Sequence, residues 1–456
     1  MTDQPTASAV ERRSFVAGTV YVFERIIPDP FVLAIGLTAL VVLAALLVAP
    51  NGAPATVVTS WYAGVFGILG FAFQMILILA TGHALAHAPL VQRGLRALVR
   101  RVSTPNQAVV MTFLVAATAS WLNWGFGLVI GAILAREVAK RVRLDFGWLV
   151  AAAYSGWVIW ASGVSSSIAL SQATHGNAFN IVEKLTGVIL PFSETVFTAF
   201  NLIPTLVVVV IVPVVFVWLR PRDSEAQIYV PQDELAPAKD PPKCPALPDS
   251  LAARLNRSRA LSLVLVALGV ADLAVTWTSK SVSLDANAVI LIFLIAGIAL
   301  HGRPVAYVDA MKNAAKQTGS MMLQYPIYGG IMGIMDTTGL AAMISKFFVT
   351  VATQHTLPFW TYFASLFITF LVPSGGGHWA VQGPFAIPAA VSLHASLPAT
   401  TMAVAMGEQV SNMMQPFWAL PVVAMAGIGI QRVLGFTVVT FAVAGTVYGA
   451  ALLLLA

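Results

Sequence analysis

The chain has 456 residues, of which 58% are apolar and only 10% charged, with a formal net charge of +6. Soluble globular proteins carry about 25% charged residues, so this composition excludes a water-soluble body of this size. The small positive charge is spread thinly, which also argues against nucleic-acid binding. The single cysteine, Cys244, cannot form a disulfide within the chain. The composition therefore predicts a protein that crosses a membrane several times.

Apolar stretches along the chain predict the spanning helices, each of which needs about 20 mostly apolar residues. Candidates lie at 31–49, 61–84, 148–172, 191–219, 259–278, 286–301, 321–335, 401–430 and 434–456. Before them, residues 1–30 hold three arginines and no apolar core with a cleavage site, so we expect a retained cytoplasmic arm. The basic loop 302–320 is also expected on the cytoplasmic side.

Two further apolar stretches, 106–135 and 358–394, are interrupted midway by SWLNWG and PSGGGHW. Each could be one long kinked helix, or a re-entrant hairpin of two half-length helices around a polar tip. Backbone that leaves a helix at membrane depth is tolerated where it is buried in protein or lines a watery cavity. The hairpin interpretation therefore predicts that both tips lie inside the protein.

The distribution of Lys and Arg separates these two interpretations, because such residues concentrate in short cytoplasmic loops. Segments 85–105 and 136–147 each carry four basic residues, so both flanks of the first interrupted stretch are predicted to be cytoplasmic. A hairpin returns the chain to one side, and a single spanning helix does not. The flanks of the second stretch, 336–357 and 395–400, contain one basic residue, Lys346. The second hairpin is therefore predicted to enter from outside.

The two halves of the chain follow one order: helix, helix, hairpin, broken helix, helix. Gln74 and Gln324 occupy corresponding helices, and the broken helices begin with YSGWVIWASGVSSS at 154 and MGEQVSNMMQPFW at 406. Pro416 removes one helical hydrogen bond in the second of them. Inverted repeats with paired interrupted helices are typical of secondary transporters that bind substrate near the midplane. We predict an all-α polytopic membrane protein with about ten transmembrane helices and two re-entrant hairpins in an inverted repeat.

This organisation divides the chain into five segments. A polar linker with seven prolines lies near the middle, and the helix that follows it belongs to neither repeat. The segments are the N-terminal arm 1–30, the first half 31–219, the cytoplasmic linker 220–258, the connecting helix 259–285 and the second half 286–456.

Three strings carry a resemblance to a known family: TGHALAHAP at 81–89, FLVPSGGGHWAVQGPF at 370–385 and NMMQPFWALPVV at 412–423. With these strings the chain resembles the bacterial short-chain fatty acid transporters of the ion transporter superfamily. The resemblance implies transport of small monocarboxylates, such as acetoacetate or butyrate, across the bacterial inner membrane. It also implies a homodimer in the lipid bilayer, in which each protomer has a scaffold and a moving transport domain.

The predicted substrate site combines helix ends with short polar side chains. A carboxylate must exchange its water shell for fixed donors, which half-helix N-termini supply, and glycines let the backbone approach a ligand closely. The predicted substrate-binding residues are Ser120, Asn123, Gly125, Ser165, Ser166, Ser374, Gly375, Gly376, Gly377, His378, Ser411, Asn412 and Gln415. The predicted ligands of a coupling ion, Na⁺ or H⁺, are Asn123, Ser162, Glu408 and Asn412. No other cofactor or metal is expected.

Other polar and aromatic residues carry weaker signals. His83 and His87 are four residues apart and could hold a metal, but no acidic or thiol partner is nearby, which favours polar packing. Asp272 lies in an otherwise apolar helix and receives no role. The aromatic residues around the tips could contact an alkyl chain or serve only as core or interface anchors. They are Trp121, Trp124, Trp379, Phe417 and Trp418.

Three other functions stay open on the sequence. A dicarboxylate or other organic-anion symporter could use the same scaffold. An anion channel is a second alternative. An intramembrane enzyme is a third, and the chain is predicted not to be one because it shows no catalytic constellation. The absence of a GxxxxGK[ST] motif argues against direct drive by ATP.

Overall fold

The computed structural model describes residues 29–221, 250–280, 284–415, 417–419, 422–423 and 428–456. The predicted N-terminal arm up to residue 28, most of the linker with Cys244, and Pro416 lie outside these ranges. Every regular element in the described ranges is a helix, which confirms the predicted all-α class.

The described part of the first half contains ten α-helices and one 3₁₀ helix. The bounds are α1 Pro30–Val48, α2 Pro54–Gly67, α3 Leu69–Ala86, α4 Pro89–Val99, α5 Pro105–Leu122, α6 Trp124–Ala139, α7 Phe146–Ser155, the 3₁₀ helix Gly156–Ser162, α8 Ser167–Ala173, α9 Ile181–Thr186 and α10 Ala199–Trp218.

The described part of the remaining chain contains ten α-helices and a second, short 3₁₀ helix. The bounds are α11 Leu251–Asn256, α12 Arg259–Lys280, α13 Ala286–His301, α14 Pro304–Ala315, α15 Gly319–Thr338, α16 Leu340–Val351, α17 Leu357–Ile368, α18 Gly375–Leu393, α19 Leu397–Ser411, the 3₁₀ helix Asn412–Met414 and α20 Ile430–Leu455.

Among the described residues, five helices or continuous helix pairs are long and apolar enough to cross a membrane. A sixth results if α15 and α16, which are bent by 75° at Gly339, form one span. The predicted span 148–172 is divided in the structure into α7, a 3₁₀ helix and α8. Helix length alone does not decide how many of these broken elements cross the membrane, so the number of about ten transmembrane helices stays a prediction.

Segments expected to be connections contain helices of their own. The interpretation of 302–320 as a loop is wrong, because α14 occupies most of it, and the flank 336–357 contains α16. Proline at the first helical position favours a helix start because its fixed φ suits the helix and its missing N–H would be unpaired there. Pro304 begins α14 in this way, and Pro89 begins α4 within the basic segment 85–105.

The first interrupted stretch forms a hairpin, as predicted. Helix α5 ends at Leu122, Asn123 leaves the helix with extended backbone, and α6 begins at Trp124. At the open end, Arg141 Nε donates a hydrogen bond to the Val102 carbonyl at 2.9 Å. The residues before α5 and after α6 therefore meet, and the chain returns to the level at which it entered.

The second interrupted stretch also forms a hairpin. Leu357, at the start of α17, packs with Ala389 and Ala390 near the end of α18. Gln382 Nε2, midway along α18, donates to the Thr361 carbonyl of α17 at 2.8 Å. The two arms thus run beside each other over most of α17.

The two halves place corresponding elements at nearly constant spacing. The arms of the hairpins and the helices that follow begin at Pro105 and Leu357, at Trp124 and Gly375, and at Phe146 and Leu397. Each pair is separated by 251 or 252 residues, which supports the predicted repeat. The inverted relation of the halves stays a prediction.

Glycines bring α15 close to α2 across the two halves. A Cβ atom on Gly64 would lie 2.1 Å from the Gly329 carbonyl oxygen, and one on Gly333 would lie 2.3 Å from the Ser60 carbonyl oxygen. Small residues at helix contacts allow this approach in membranes, where close packing drives association. The contact holds α15 and its Tyr325 beside the second hairpin tip. In contrast, α12 is largely exposed and carries Asp272 on its exposed surface.

Candidate functional site

The four interruptions, two hairpin tips and two broken helices, converge in the interior. Trp124 N–H, at the first tip, donates to Ser165 Oγ of the first broken helix at 2.9 Å. Tyr154 OH, from α7, donates to the Asn412 carbonyl of the second broken helix at 2.7 Å. Trp418 Nε1 donates to the Pro373 carbonyl at the second tip at 2.7 Å. These bonds join each tip to a broken helix and connect the two halves, so the four interruptions lie together in the interior.

Asn123 fixes the first tip. Its Oδ1 accepts a hydrogen bond from the Phe126 N–H at 2.9 Å, which caps α6, and its Nδ2 donates to the Ile78 carbonyl of α3 at 3.2 Å. Asparagine is a favoured N-cap because its side-chain oxygen satisfies an otherwise unpaired N–H. Both ends of this amide are occupied within the protein, so the observed contacts of Asn123 are structural.

Ser120 and Gly125 also pack the first hairpin closely. Ser120 Oγ donates to the Ala116 carbonyl at 2.6 Å, and a Cβ on Gly127 would lie 2.1 Å from this oxygen. A Cβ on Gly125 would lie 2.9 Å from Leu79 Cα of α3. These residues let the arms of the hairpin and α3 approach one another.

In the first broken helix, the serines have different partners. Ser165 accepts from the first tip, and Ser166 caps α8 by accepting from the Ala169 N–H at 3.4 Å. Ser167 Oγ is buried and has no hydrogen-bond partner among the described residues. Ser167 was not among the predicted site residues, although it ends the same serine run.

Gln409 joins the two broken helices, and sequence reasoning missed it. Its Oε1 accepts from the N–H groups of Ala161 and Ser162 at 2.9 and 3.0 Å, and its Nε2 donates to Ser162 Oγ at 2.8 Å. Ser162 Oγ also lies 3.3 Å from Tyr448 OH. Two backbone N–H groups at the end of the first 3₁₀ helix are thus bonded by a side chain from the other half. Ser162, a predicted ion ligand, is thus held by Gln409.

The three tip glycines face three different neighbours. A Cβ on Gly375 would lie 2.5 Å from both Ser167 Oγ and Trp160 Cη2, and 3.4 Å from Glu408 Oε2. A Cβ on Gly376 would lie 2.5 Å from the Phe71 ring. A Cβ on Gly377 would lie 2.3 Å from the Tyr328 ring. Glycine is required at all three because no side chain fits, and Gly375 alone faces polar atoms.

His378 follows the glycines but points into the second hairpin. It is fully buried, and its Nε2 lies 2.5 Å from Gln382 Oε1 and 3.1 Å from Ser365 Oγ. Its Nδ1 lies 3.2 Å from Thr369 Oγ1. Both ring nitrogens have partners within the second hairpin, so a role in substrate binding would require His378 to leave these contacts. Ser374, one residue before the glycines, is buried.

Glu408 is the carboxylate of the site and is fully buried. Its Oε1 accepts from Asn412 Nδ2 at 2.9 Å, whereas its Oε2 has no partner among the described residues. The Asn412 Oδ1 and Gln415 Oε1 atoms are likewise buried without a described partner. Gln415 Nε2 donates to the Thr369 carbonyl, and Ser411 Oγ donates to the Leu366 carbonyl at 2.8 Å.

Aromatic rings form one wall of the site. Trp157 stacks on Trp160, with ring centroids 5.3 Å apart, and meets Trp418 at 5.4 Å. Trp124 contacts both Trp160 and Trp418. The indole Nε1 atoms of Trp124 and Trp160 are buried without a described partner. Trp157 and Trp160 were not singled out by the sequence, although both lie in the quoted string YSGWVIWASGVSSS.

The remaining predicted features lie elsewhere. Trp379 Nε1 donates to the Phe179 carbonyl at 2.8 Å, and Trp121 contacts Phe197. His83 and His87 stack on each other with ring centroids 4.7 Å apart. In the described ranges, no group of three or more His, Cys, Asp or Glu side chains is arranged to hold a metal ion.

The fold resembles those of two solved structures. It resembles the YdaH transporter of Alcanivorax borkumensis, whose crystal structure has an unusual topology, with a TM-score of 0.59 at 15% identity over 93% of this chain and 98% of that one. It also resembles Neisseria gonorrhoeae MtrF, described among antimetabolite efflux pumps, with a TM-score of 0.54 at 13% identity over 97% of each chain. At these identities the likeness concerns the fold alone.

Sequence relatives identify the family. The family described as "Short chain fatty acid transporter" matches residues 12–455. An Escherichia coli (strain K12) protein named "Putative short-chain fatty acid transporter" is 41% identical over 93% of this chain and 95% of its own length. A protein of the same name from Haemophilus influenzae (strain ATCC 51907 / DSM 11121 / KW20 / Rd) is 39% identical over 90% of this chain and 93% of its own length. The chain therefore belongs to the short chain fatty acid transporter family, whose members are transporters and not enzymes.

Proposed function

We propose that this protein is a secondary active transporter that carries short-chain monocarboxylates of the acetoacetate and butyrate type across the bacterial inner membrane. Family membership supports a small carboxylate substrate. One observation carries the finer proposal: the unpartnered buried oxygens of Ser167 and Glu408 lie beside Gly375, next to an aromatic wall. Buried polar groups in folded proteins are normally hydrogen-bonded, so a set without partners at one place fits a ligand site.

The donors of this set suit a carboxylate. They are the Ser167 hydroxyl, whose oxygen lies beside the Gly375 end of α18, and the indole N–H of Trp160, whose ring approaches Gly375 through its Cη2 atom. The first N–H groups of α18 and the positive end of its dipole add to them. The rings of Trp157, Trp160 and Trp418 offer an apolar surface to a short alkyl tail. We expect the carboxylate at the Gly375 end and the tail against the indoles.

The acceptors of the set suit a cation. Neither Lys nor Arg occurs at the tips or in the broken helices of the sequence, and Glu408 is the one carboxylate there. The unpartnered oxygens of Glu408, Asn412 and Gln415 could coordinate Na⁺, or Glu408 could bind a proton. Acids inside membrane segments are costly and usually functional. A cotransported cation would balance the charge of the bound carboxylate and couple the two fluxes.

Several further features belong to the same proposal. Alternating access would follow from the inverted repeat, which the constant spacing of the hairpins and broken helices supports. The N-terminus is proposed to be cytoplasmic because of the arginines in the first 30 residues. A homodimer in the membrane is the proposed assembly.

The test is transport by the purified protein in proteoliposomes, with radiolabelled butyrate and separately imposed Na⁺ and pH gradients. We expect saturable accumulation driven by one of these gradients and competition by acetoacetate. Stronger competition by succinate than by acetoacetate would overturn the monocarboxylate assignment. Gradient-independent flux at rates typical of channels would overturn secondary transport.

A further inference from the structure

A cavity of about 440 Å³ lies apart from the transport site, between the starts of α4 and α12 and the end of α13. None of the residues at the hairpin tips or broken helices lines it. Arg93 contributes from α4, Arg259 from the first position of α12, and His301 from the last position of α13. No Asp or Glu is among its described lining residues, so the charge that faces the cavity is positive.

Two polar side chains in this cavity indicate a ligand. Arg93 Nε donates to the Pro89 carbonyl at 3.3 Å, which holds the guanidinium at the cavity. Ser262, in the first turns of α12, is only 3% exposed, and its Oγ has no hydrogen-bond partner among the described residues. A buried hydroxyl without a partner carries an energetic cost, which a bound acceptor in the cavity would remove.

The cavity also has an apolar side that continues onto the membrane-facing surface. Leu263 and Val266 line it. Leu263 is 62% exposed, and α12 continues beyond the cavity as a largely exposed apolar helix of spanning length. Arg259 stands at the start of this helix, and the end of a spanning helix is where its residues meet the headgroups. The cavity thus joins a cationic end at the interface to an apolar groove that leads into the bilayer.

We propose that this cavity binds an anionic phospholipid of the cytoplasmic leaflet. Its phosphate would accept hydrogen bonds from Arg93, Arg259 and the Ser262 hydroxyl, and one acyl chain would lie along Leu263 and Val266. Guanidinium groups form strong, charge-assisted hydrogen bonds with phosphate. Basic pockets between membrane helices on the cytoplasmic side are typical sites for anionic headgroups. The cavity volume exceeds the needs of inorganic phosphate alone and leaves room for the glycerol of a lipid.

Native mass spectrometry of the full-length protein in detergent tests this proposal, with phosphatidylglycerol and phosphatidylcholine as the titrated probes. We expect the first phosphatidylglycerol to bind at least about tenfold more tightly than phosphatidylcholine, because phosphatidylcholine would bring its choline cation to the positively charged cavity and like charges placed together cost several kcal/mol. Equal affinity for the two lipids would overturn the proposal. Full displacement of phosphatidylglycerol by inorganic phosphate or by butyrate would also overturn it, because the site would then take a free anion.

Variants locate the binding site. The double variant Arg93→Gln/Arg259→Gln is expected to lose at least about tenfold in phosphatidylglycerol affinity. The matched control Arg96→Gln/Arg257→Gln removes two exposed arginines outside the cavity and is expected to change this affinity by less than about threefold. Equal losses of phosphatidylglycerol affinity in the two double variants would indicate that the lipid is held by a diffuse surface charge, and this would overturn the proposed site.

Ser262→Ala separates ligand binding from a structural role. The substitution removes a buried hydroxyl that has no partner, so the thermal stability of the lipid-free protein is expected to stay the same or to rise. The phosphatidylglycerol affinity is expected to fall several-fold. A loss of lipid-free stability, or unchanged lipid affinity, would contradict the role assigned to this hydroxyl.

Discussion

Gly375→Ala tests whether the second hairpin tip forms the substrate site. The added Cβ would lie 2.5 Å from Trp160 Cη2 and 2.5 Å from Ser167 Oγ. The serine hydroxyl can rotate, but the Trp160 ring is stacked on Trp157 with centroids 5.3 Å apart and cannot move alone. Overpacking of this kind costs about 1–3 kcal/mol. Because the displaced groups are the proposed donors, we expect most of this cost in substrate binding.

Each 1.4 kcal/mol corresponds to a factor of about ten in affinity, so the apparent KM should rise between about fivefold and about a hundredfold. Initial rates of radiolabelled butyrate uptake into proteoliposomes measure it, and thermal unfolding checks that the variant is folded. Gly36→Ala is the control, since a Cβ at Gly36 meets nothing within 4 Å. A folded Gly375→Ala protein with the KM of the unmodified protein would refute a substrate site at this tip.

Three further predictions concern coupling, stability and topology. Glu408→Gln should abolish gradient-driven accumulation of substrate and preserve some substrate exchange. The control Glu183→Gln should transport normally. If Glu408→Gln still accumulated substrate with an unchanged ion dependence, Glu408 would have no role in coupling. Gln409→Leu should lower the thermal stability strongly, because each buried N–H left unpaired costs about 1–3 kcal/mol. If the variant unfolded at the same temperature as the unmodified protein, this would contradict the bridging role of Gln409. Single cysteines at Thr104 and Lys140, which are both exposed, should react in a Cys-free background with an impermeant thiol reagent from the cytoplasmic side, and labelling from opposite sides would disprove the re-entrant hairpin.

The sequence predicted the hairpins because their interruptions have a local cause. Asn123 is a strong cap between two apolar runs, and the glycine triplet at 375–377 follows the helix-limiting Pro373. Both signals lie within a few residues, so they can be read without knowledge of the tertiary fold. The helices α14 and α16 were missed because they are shorter than a membrane span and lie between longer apolar segments.

Contacts that cross the chain could not be predicted. Gln409 caps Ala161 and Ser162 from almost 250 residues away in sequence, and nothing in GEQVS distinguishes it from its neighbour Glu408. His378 stands beside the tip glycines in sequence, yet helical geometry turns its ring toward Gln382, one turn further along α18. Gly375 must be glycine because Trp160, from the other half of the chain, fills the space that a side chain would need. This contact too is visible only in the folded chain.

The Gln409 bridge has a consequence for motion. Ser162 and Gln409 belong to one hydrogen-bond network with Tyr448. The Ser162 carbonyl accepts from Asn201 Nδ2 at 2.9 Å, and the Tyr448 hydroxyl lies 3.0 Å from Thr205 Oγ1. These bonds connect both broken helices to α10 and α20, and all the residues that form them are buried, so water does not compete for the bonds in this structure. We therefore expect the two broken helices to move together, and a gate to open along surfaces that such bonds do not cross.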